Sequence, residues 1–227
     1  MAAMDAGRKI YELYCLENQK HEIIDRAKTM NIKIKTLNKQ KMNQMFTNTH
    51  QGFGALVEDY TMISLEQALK KPGKKLYVML DSLEDPHNLG AILRSADAFN
   101  VSGIIIPKNR SVKITPTVIK VSTGAIEYVD MINVTNLNQA IDQLKKHNIW
   151  VVGLDLDTEQ TLDDIHVETD LCVVLGSEGK GISRLVRENC DYTVKIPMFG
   201  HVNSLNVSVT AGIVIQDIVS RRGSVHV

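Results

Sequence analysis

The chain has 227 residues, which suffices for one large domain or for a standard domain beside a small one. Basic and acidic residues both number 26, so the net charge by itself indicates neither a nucleic acid nor a membrane as partner. No apolar run approaches the ~20 residues of a membrane span, and the first residues lack a signal-peptide pattern. We therefore expect a cytoplasmic protein without a membrane partner.

Charge is unevenly distributed along the chain, although it sums to zero. Residues 1–50 hold nine basic and five acidic side chains, so this end carries +4 and the remainder −4. Such an excess is usually a solvated face, but it permits a polyanionic partner. Cys15, Cys172 and Cys190 are too widely spaced for a disulfide framework or a zinc site. We expect no metal, and a buried inert thiol for Cys172, which lies in an apolar run.

The first 60 residues predict a small α+β domain in which strands and helices alternate. Strands are predicted at 9–16, 32–37 and 53–57, and helices at 21–30 and 39–46. A further helix at 64–71, with Ser64 as N-cap, is followed by Pro72-Gly73, which punctuates the chain. We therefore predict a small domain over 1–60, a linker over 61–75 and a larger domain over 76–227.

After residue 75, apolar strands alternate with helices. Strands are predicted at 76–80, 103–106, 128–132, 150–154, 171–175 and 193–196, and helices at 89–99, around 118–121, 137–147, 182–190 and 205–221. This alternation is typical of an α/β fold with a parallel sheet covered on both faces. Ligands bind in such folds beyond the carboxyl ends of the strands, so polar, glycine-bearing loops there are candidate sites.

The first such loop is DSLEDPHNLGAILRSAD, residues 81–97. Asn88 is a candidate cap of the following helix, and Gly90 leaves its first turn open. Arg94 stands in an otherwise small and apolar helix. A surface arginine paired with Asp97 or Glu84 is the commoner use of such a residue, so its role stays open at this point.

The second loop is LGSEGKGISRLVR, residues 175–187, which follows an apolar strand and precedes a helix. Its spacing fails the P-loop template at Val174 and the dinucleotide template at Arg184. Glu178, flanked by glycines, would repel a pyrophosphate and suits a cationic or hydroxyl-bearing ligand better. The alternative is an ordinary turn with an exposed glutamate.

The third loop is IPMFGHVNSLNVSVTAG, residues 196–212, where Pro197 ends a strand and a polar loop enters an apolar helix. Asn206 needs hydrogen-bond partners if it is buried. Capping by Ser204 and Asn206 is the simplest alternative. The small-residue turn VSTGA, residues 121–125, admits either a ligand near the backbone or close packing of two elements.

In combination these segments are specific. They resemble, in order and spacing, the motifs of the SPOUT methyltransferases, and within them the TrmH/SpoU family of RNA ribose 2′-O-methyltransferases. The segments are NLGAILRSADAFNVSGIII, VSTGAIEYV, VVLGSEGKGISRLVRENCD and IPMFGHVNSLNVSVTAGIVI. The resemblance covers residues 76–221. HQGFGALV, residues 50–57, is similar to the end of the ribosomal-protein-like RNA-binding domain in the branch that modifies a guanosine of 23S-type, large-subunit ribosomal RNA.

The resemblance implies an α/β, parallel-sheet SPOUT fold with a C-terminal trefoil knot, preceded by a small RNA-binding-like domain, and a homodimer. It implies S-adenosyl-L-methionine as the cofactor, held largely by backbone groups of three loops. The residues at the matching cofactor-binding positions are Gly153, Leu175, Gly176, Ser177, Gly179, Ile196, Met198, Leu205 and Ser208, with Thr123 and Gly124 on the adenosine side.

The resemblance also implies an active site of five polar residues, namely Asn88, Arg94, Glu178, Ser204 and Asn206. A guanidinium stays protonated in proteins, so Arg94 is a poor base. We expect Arg94 to clamp the substrate phosphate and stabilise the developing alkoxide. The identity of the general base stays open among that phosphate, Ser204 and water, and a residue of a second chain is a further candidate member of the site.

Two departures from the family pattern stand out. Residues 1–10 lack the usual helix around a Gly-x-x-Ala-Val segment, and Thr210 stands where alanine is more usual. The same chemistry on transfer RNA and a non-catalytic, knotted RNA-binding relative are the alternatives to a ribosomal RNA enzyme. Retention of Arg94, Glu178 and Asn206 favours an enzyme, because binding alone does not require that set.

Overall fold

A computed structural model describes residues 1–46, 50–109, 111–177 and 179–223 of the chain. The chain divides into two compact units, Met1–Thr61 and Met62–Val227. Each unit has its own sheet and its own hydrophobic core.

The smaller unit is a three-stranded sheet with short helices. Its elements are α1 (Ala2–Asp5), β1 (Ile10–Leu16), α2 (Glu22–Thr29), β2 (Lys33–Leu37), α3 (Lys39–Met45) and β3 (Phe53–Val57). The central strand β1 pairs in parallel with β2 and antiparallel with β3. Met4, Leu13 and Ala27 are buried in its core. The predicted alternation of strands and helices is confirmed, and α1 was missed because one turn is too short to show a helical period.

One acidic side chain of the smaller unit pairs with two of its basic ones. The Glu12 carboxylate on β1 lies 3.1 Å from Lys33 Nζ and 2.8 Å from Lys35 Nζ, both on β2. Hydrogen bonds from Lys35, Tyr14 and Lys33 lower the pKa of Glu12 to about 2. The net +4 of residues 1–50 already counts Glu12, so this pairing leaves the sum unchanged but makes the charges of Lys33 and Lys35 less available to a polyanion.

The larger unit is built on a six-stranded parallel sheet. Its strands are β4 (Leu76–Leu80), β5 (Gly103–Pro107), β6 (Met131–Val134), β7 (Trp150–Leu154), β8 (Leu171–Leu175) and β9 (Tyr192–Val194). They lie in the order β6-β5-β4-β8-β7-β9, and every pairing is parallel. The predicted α/β class is confirmed. All residues of β4 and β8 are buried, which explains why LYVML and LCVVL are continuous apolar runs.

Among the described residues, six α-helices of the larger unit precede, connect or follow these strands. They are α4 (Leu65–Leu69), α5 (Pro86–Ala98), α6 (Pro116–Val121), α7 (Leu137–Lys146), α8 (Arg184–Asn189) and α9 (Val207–Arg221). Helices α5 and α9, which follow β4 and β9, pack against each other. Asn88 and Arg94 lie on α5, and Asn206 is the N-cap of α9.

Helix α5 begins earlier than the sequence analysis predicts. Asp85 is its N-cap and accepts a hydrogen bond from the His87 backbone N–H at 2.8 Å, while Pro86 occupies the first turn. Proline is favoured there because its missing N–H would have no helical partner anyway. Asn88 therefore lies inside the first turn, and the prediction that it caps the helix is wrong.

The segment predicted as a linker belongs to the larger unit. Ser64 caps α4 as expected, in a capping box with Gln67. Leu65 and Ala68 are buried in the core of the larger unit. The expectation of a linker over residues 61–75 is therefore wrong from Met62 onward. The apolar residues of α4 are spaced along one helix face because that face packs on the core of the larger unit.

All three cysteines are free, buried thiols. Burial raises the pKa of Cys190 to about 12, and it raises the pKa of Cys172 well above its ordinary value. Because the thiolate is the reactive form, both thiols are inert in the folded protein. The expectation for Cys172 is confirmed.

Candidate functional site

The loops after four neighbouring strands meet at one edge of the six-stranded sheet. Strands β4, β8, β7 and β9 are adjacent in that order and parallel, so their carboxyl ends share this edge. Ligand sites of open α/β sheets lie there. Two cavities open at this edge, which we call the apolar cavity and the polar cavity.

The apolar cavity is formed by the segments that follow β7, β8 and β9 and by the start of α9. Its volume is about 800 Å³ including the part open to solvent. It is lined by Leu154, Asp155, Leu156, Leu175, Gly176, Ser177, Gly179, Gly181, Val194, Lys195, Ile196, Met198, Ser204, Leu205, Val207 and Thr210. Aliphatic side chains and glycines dominate, so this cavity suits a flat apolar group held by backbone polar atoms.

Glycines allow the loop after β8 to fold tightly beside the apolar cavity. A Cβ on Gly176 would lie 1.9 Å from the carbonyl carbon of Gly181, so no side chain fits there. The Gly181 backbone N–H donates to the Ser177 carbonyl at 3.0 Å. Gly179 and Gly181 have φ of 81° and 65°, a region that glycine adopts most readily. The glycines of this loop therefore allow its close backbone contact and its left-handed backbone conformation.

The polar cavity adjoins the apolar cavity, because Ser177 and Gly181 line both. One wall comes from the loop after β4 and the start of α5, and the other from the loop after β8. It is lined by Ser82, Leu83, Glu84, Asp85, Asn88, Ser177, Lys180, Gly181 and Ser183. Hydroxyl, amide and charged side chains dominate, which suits a polar ligand.

Asp81 fixes the two walls of the polar cavity to each other. It follows β4 directly and is only 6% exposed. Its carboxylate accepts hydrogen bonds from the Ser183 backbone N–H at 2.7 Å and from Ser82 Oγ at 3.0 Å. Sequence reasoning assigned Asp81 no role, although an acidic residue directly after a fully buried strand is a usable signal.

Asn88 and Asn206 join the first turns of α5 and α9. Asn206 Nδ2 donates to Asn88 Oδ1 at 3.0 Å. Asn206 also caps α9, since its Oδ1 accepts the Ser208 backbone N–H at 2.9 Å. Asn206 therefore caps the helix, and although it is itself exposed it contacts a second polar residue that is 8% exposed and lines the polar cavity. Ser204 does not cap α9 but lines the apolar cavity.

Arg94 is separate from both cavities. Its side chain is exposed, lines neither cavity, and forms no hydrogen bond or ion pair with any described residue. The ordinary pairing with Asp97 or Glu84 is therefore not found. Six residues along an α-helix correspond to about 9 Å of rise and about 240° of rotation, so Arg94 points away from Asn88.

Seven of the eleven predicted cofactor-binding residues line the apolar cavity. They are Leu175, Gly176, Ser177, Gly179, Ile196, Met198 and Leu205. Sequence reasoning missed other lining residues, namely Leu154, Asp155, Leu156, Gly181, Val194, Lys195, Val207 and Thr210. Most of these flank the predicted segments, so only the folded geometry distinguishes them from their neighbours.

The other four predicted cofactor-binding residues lie outside the lining of the apolar cavity. Gly153 is buried and provides close packing, because an added Cβ would lie 3.1 Å from Cys190 Sγ. Ser208 donates its hydroxyl to Asn206. Thr123 and Gly124, with φ of 51° and 100°, form the turn after α6. Glu178, for which an active-site role is predicted, lies outside the described residues.

The described part of the chain offers neither a metal site nor a membrane span. Within it, no group of three or more His, Cys, Asp and Glu side chains could hold a metal ion. In the same part of the chain, no helix is long and apolar enough to cross a membrane.

Comparison with protein families and relatives bears out the resemblance seen in the motifs. A model described as the SpoU rRNA Methylase family matches residues 75–216, and one described as RNA 2′-O ribose methyltransferase substrate binding matches residues 1–63. A Staphylococcus haemolyticus protein named as a TrmH family tRNA/rRNA methyltransferase is 43% identical over 98% of this chain and 93% of its own. A Bacillus subtilis protein with a corresponding name is 42% identical over 98% and 92%.

Solved structures share the fold. The SpoU methyltransferase AviRb from Streptomyces viridochromogenes, in complex with AdoMet, has a TM-score of 0.86 at 24% identity and covers 98% of this chain and 87% of its own. The TrmH/SpoU tRNA modifying enzyme of A. aeolicus has a TM-score of 0.61 at 28% identity and covers 70% and 81%. Together with the site at the sheet edge, these matches place the chain in the SpoU rRNA methylase family of S-adenosylmethionine-dependent RNA methyltransferases.

Proposed function

We propose that the chain transfers a methyl group from S-adenosyl-L-methionine to the ribose 2′-hydroxyl of a guanosine in large-subunit ribosomal RNA. The observation that carries the proposal is the pair of cavities that adjoin at Ser177 and Gly181. An apolar cavity beside a polar one suits a cofactor beside a nucleotide, and methyl transfer requires the two to be held at near-attack distance. The substrate-binding model that matches residues 1–63 supports RNA as the substrate.

The residues of the apolar cavity fit the proposed cofactor. Leu156, Ile196 and Leu205 offer aliphatic surface to an adenine ring, and the glycine loop leaves backbone groups accessible. The Asp155 carboxylate lies 3.2 Å from Arg187 Nε, so its negative charge is already paired. When bound, the cofactor supplies an electrophilic methyl group on a sulfonium centre.

We propose that the Asn88–Asn206 pair positions the ribose. Each asparagine lies in or at the first turn of its helix, and the 3.0 Å hydrogen bond fixes one amide against the other. Asn88 lines the polar cavity, while Ser204, two residues before Asn206, lines the apolar cavity. The pair thus stands between the space for the nucleotide and the space for the cofactor. Proton loss from the 2′-hydroxyl is assigned to Ser204, the substrate phosphate or water.

We propose that Arg94 acts in the site of a second copy of the chain. Its guanidinium stays charged and serves as a clamp on phosphate, as expected from its chemistry. The support is its exposure, its absence from both cavity linings and its rotation away from Asn88. The neighbouring helix α9 exposes Val209 and Ile213, at 49% and 37%, which suits an apolar contact between copies.

We also propose that the segment from β9 into α9 forms the knot that the family resemblance implies. The lining of the apolar cavity supports this proposal, because described residues that follow β7, β8 and β9 surround one space. A deep trefoil knot is among the rare exceptions to unknotted topology.

A methyl-transfer assay tests the proposed function. Purified protein is incubated with tritiated S-adenosylmethionine and total RNA from a strain that lacks it. The RNA is then separated into ribosomal and transfer RNA and digested to nucleosides. We expect label in 2′-O-methylguanosine from large-subunit RNA. Label confined to transfer RNA would establish the alternative substrate, and RNA binding without any label would establish a non-catalytic relative.

Mixing two inactive variants tests whether Arg94 acts across a dimer. Arg94→Ala and Asn206→Ala are each expected to lose most activity. If Arg94 serves the partner's site, a heterodimer of the two variants has one intact site. Half of randomly mixed dimers are heterodimers, so about a quarter of wild-type activity returns. If Arg94 serves its own subunit, the mixture stays inactive.

A further inference from the structure

We propose that Glu84 recognises the guanine base of the target nucleotide and that Lys180, across the polar cavity, contacts its phosphate. The inference rests on the proposed function and adds a base-recognition residue to it. Both side chains line the polar cavity, Glu84 from the loop after β4 and Lys180 from the loop after β8.

Among the described residues, the charges in and directly beside the polar cavity fall into two groups. Asp81 and Asp85 are already engaged in the fold, since Asp81 accepts from Ser183 and Asp85 caps α5. The backbone N–H of His87 lowers the pKa of Asp85, as expected for a capping carboxylate. Glu84 and Lys180, by contrast, are exposed and form no hydrogen bond or ion pair with any described residue, nor with each other. These two charges are available to a ligand.

An unpaired carboxylate in a cavity for RNA is unfavourable unless it has a specific partner, because phosphates are repelled by it. The Watson–Crick edge of guanine offers two adjacent donors, N1–H and N2–H₂. A carboxylate has two acceptor oxygens and no donor, so it matches that edge with two parallel hydrogen bonds. Lys180 is the complementary charge for the nucleotide's phosphate.

The other three bases do not match a carboxylate in this way. Adenine and cytosine each place one donor beside a ring-nitrogen acceptor, and uracil places its single N–H between two carbonyl oxygens. A carboxylate facing any of them meets at least one acceptor, which costs a hydrogen bond and adds repulsion. Glu84 therefore favours guanine over all three, through contacts on an edge that is accessible only in unpaired RNA.

The position of the polar cavity agrees with this assignment. It adjoins the apolar cavity at Ser177 and Gly181, where the methyl group and the ribose would meet. A base attached to that ribose extends into the polar cavity, which Glu84 lines. Asn88 lines the same cavity from the start of α5.

The test compares wild type, Glu84→Gln and the control Glu66→Gln. Glu66 is exposed on α4, pairs with Lys70 and lines neither cavity, so its substitution makes the same change of charge away from the site. Glutamine presents an N–H₂ to one of the guanine donors and loses the matched pair. A good bidentate contact contributes about 1–3 kcal/mol of discrimination, so we expect a loss of about 5- to 150-fold in the rate of 2′-O-methylguanosine formation on total RNA.

The affinity for S-adenosylmethionine is measured on the same proteins and is expected to stay within about twofold, because Glu84 lies outside the apolar cavity. Two results overturn the base assignment and leave ribose methylation intact. One is a methylation rate of Glu84→Gln equal to that of wild type. The other is that the wild-type protein labels the ribose of a nucleoside other than guanosine. Absence of ribose label in wild type overturns the proposed function itself, so the two failures are distinguishable.

Discussion

The two edges of the six-stranded sheet use their polar side chains differently. At the amino edge, before β4, Lys75 is only 7% exposed and donates to the Lys71 and Pro72 carbonyls. Arg222, at the end of α9, donates to the Val167 and Thr169 carbonyls. At the carboxyl edge, Glu84 and Lys180 have no partner among the described residues. The amino edge uses these charges to hold chain segments together, whereas the carboxyl edge combines such contacts, at Asp81 and Asp155, with two charges that no described residue pairs.

The largest effect, a loss of cofactor affinity, is expected from adding a side chain to the glycine loop at the carboxyl edge. Gly176→Ala places a Cβ 1.9 Å from the Gly181 carbonyl carbon, so the loop beside the apolar cavity must move. We expect the affinity for S-adenosylmethionine to fall more than about 100-fold, at the upper end of overpacking costs. Isothermal titration calorimetry measures the affinity. Gly200→Ala is the control, since nothing lies within 4 Å of its added Cβ; equal affinities of the two variants would contradict the close approach.

A smaller effect is expected from separating the two roles of Asn206. Asn206→Ser keeps a good helix cap, so the free energy of unfolding should change by less than about 0.5 kcal/mol. Serine is too short to reach Asn88, so the link between α5 and α9 is lost. We expect the methyl-transfer rate to fall about 10- to 100-fold, as for a misplaced reactant. Full activity of Asn206→Ser would reduce Asn206 to a cap.

The amino edge should show the opposite behaviour. Arg222→Met removes the donor to the Val167 and Thr169 carbonyls, and we expect a loss of about 1–3 kcal/mol in the free energy of unfolding. The methyl-transfer rate per folded molecule should stay unchanged, because Arg222 lines neither cavity at the carboxyl edge. The control is Arg184→Met, which breaks an exposed pair with Glu188 and should cost less than about 1 kcal/mol. Urea denaturation measures the free energy of unfolding of both variants. A methyl-transfer rate of Arg222→Met below that of wild type would contradict the difference proposed between the two edges.

The smallest effect is expected in the smaller unit, where Glu12 pairs with Lys33 and Lys35. The pKa of Glu12 is lowered from 4.5 to about 2 in the folded protein. A lowered folded pKa means that the ionised form stabilises the fold above pH 4.5 and that this contribution disappears as the pH falls toward about 2. Glu12→Gln should therefore be less stable than wild type at pH 7, and the difference should shrink through this window. Denaturation midpoints measured against pH check the trend; a constant difference would contradict it.

The fold was largely predictable from the sequence, because apolar runs and turn residues are local signals. LYVML and LCVVL predict buried parallel strands directly, since both faces of such strands are covered. The start of α5 was missed because Pro86 is compatible with both a loop and a first helical turn. Helix α4 was taken as part of a linker because five residues give too few apolar positions to show which unit they pack on.

The site was predictable in part. The glycine loop and Asn206 were found through their motifs, and the structure brings most of those residues to one cavity. Asp81 and Gly181 were missed, because a buried hydrogen bond to Ser183 and a backbone contact with Gly176 depend on which segments meet in space. The separation of Arg94 from Asn88 follows from helix geometry alone and was available in the sequence.

The buried thiols provide a means of observing the two units separately. The smaller unit contains Cys15, and the larger unit contains Cys172 and Cys190. Because a buried thiol reacts only when its surroundings open, the rate at which a thiol reagent labels each cysteine reports the local opening of its own unit. Peptide mapping of the labelled protein would thus compare the free energies of local opening of the two units, without adding a cysteine by mutation.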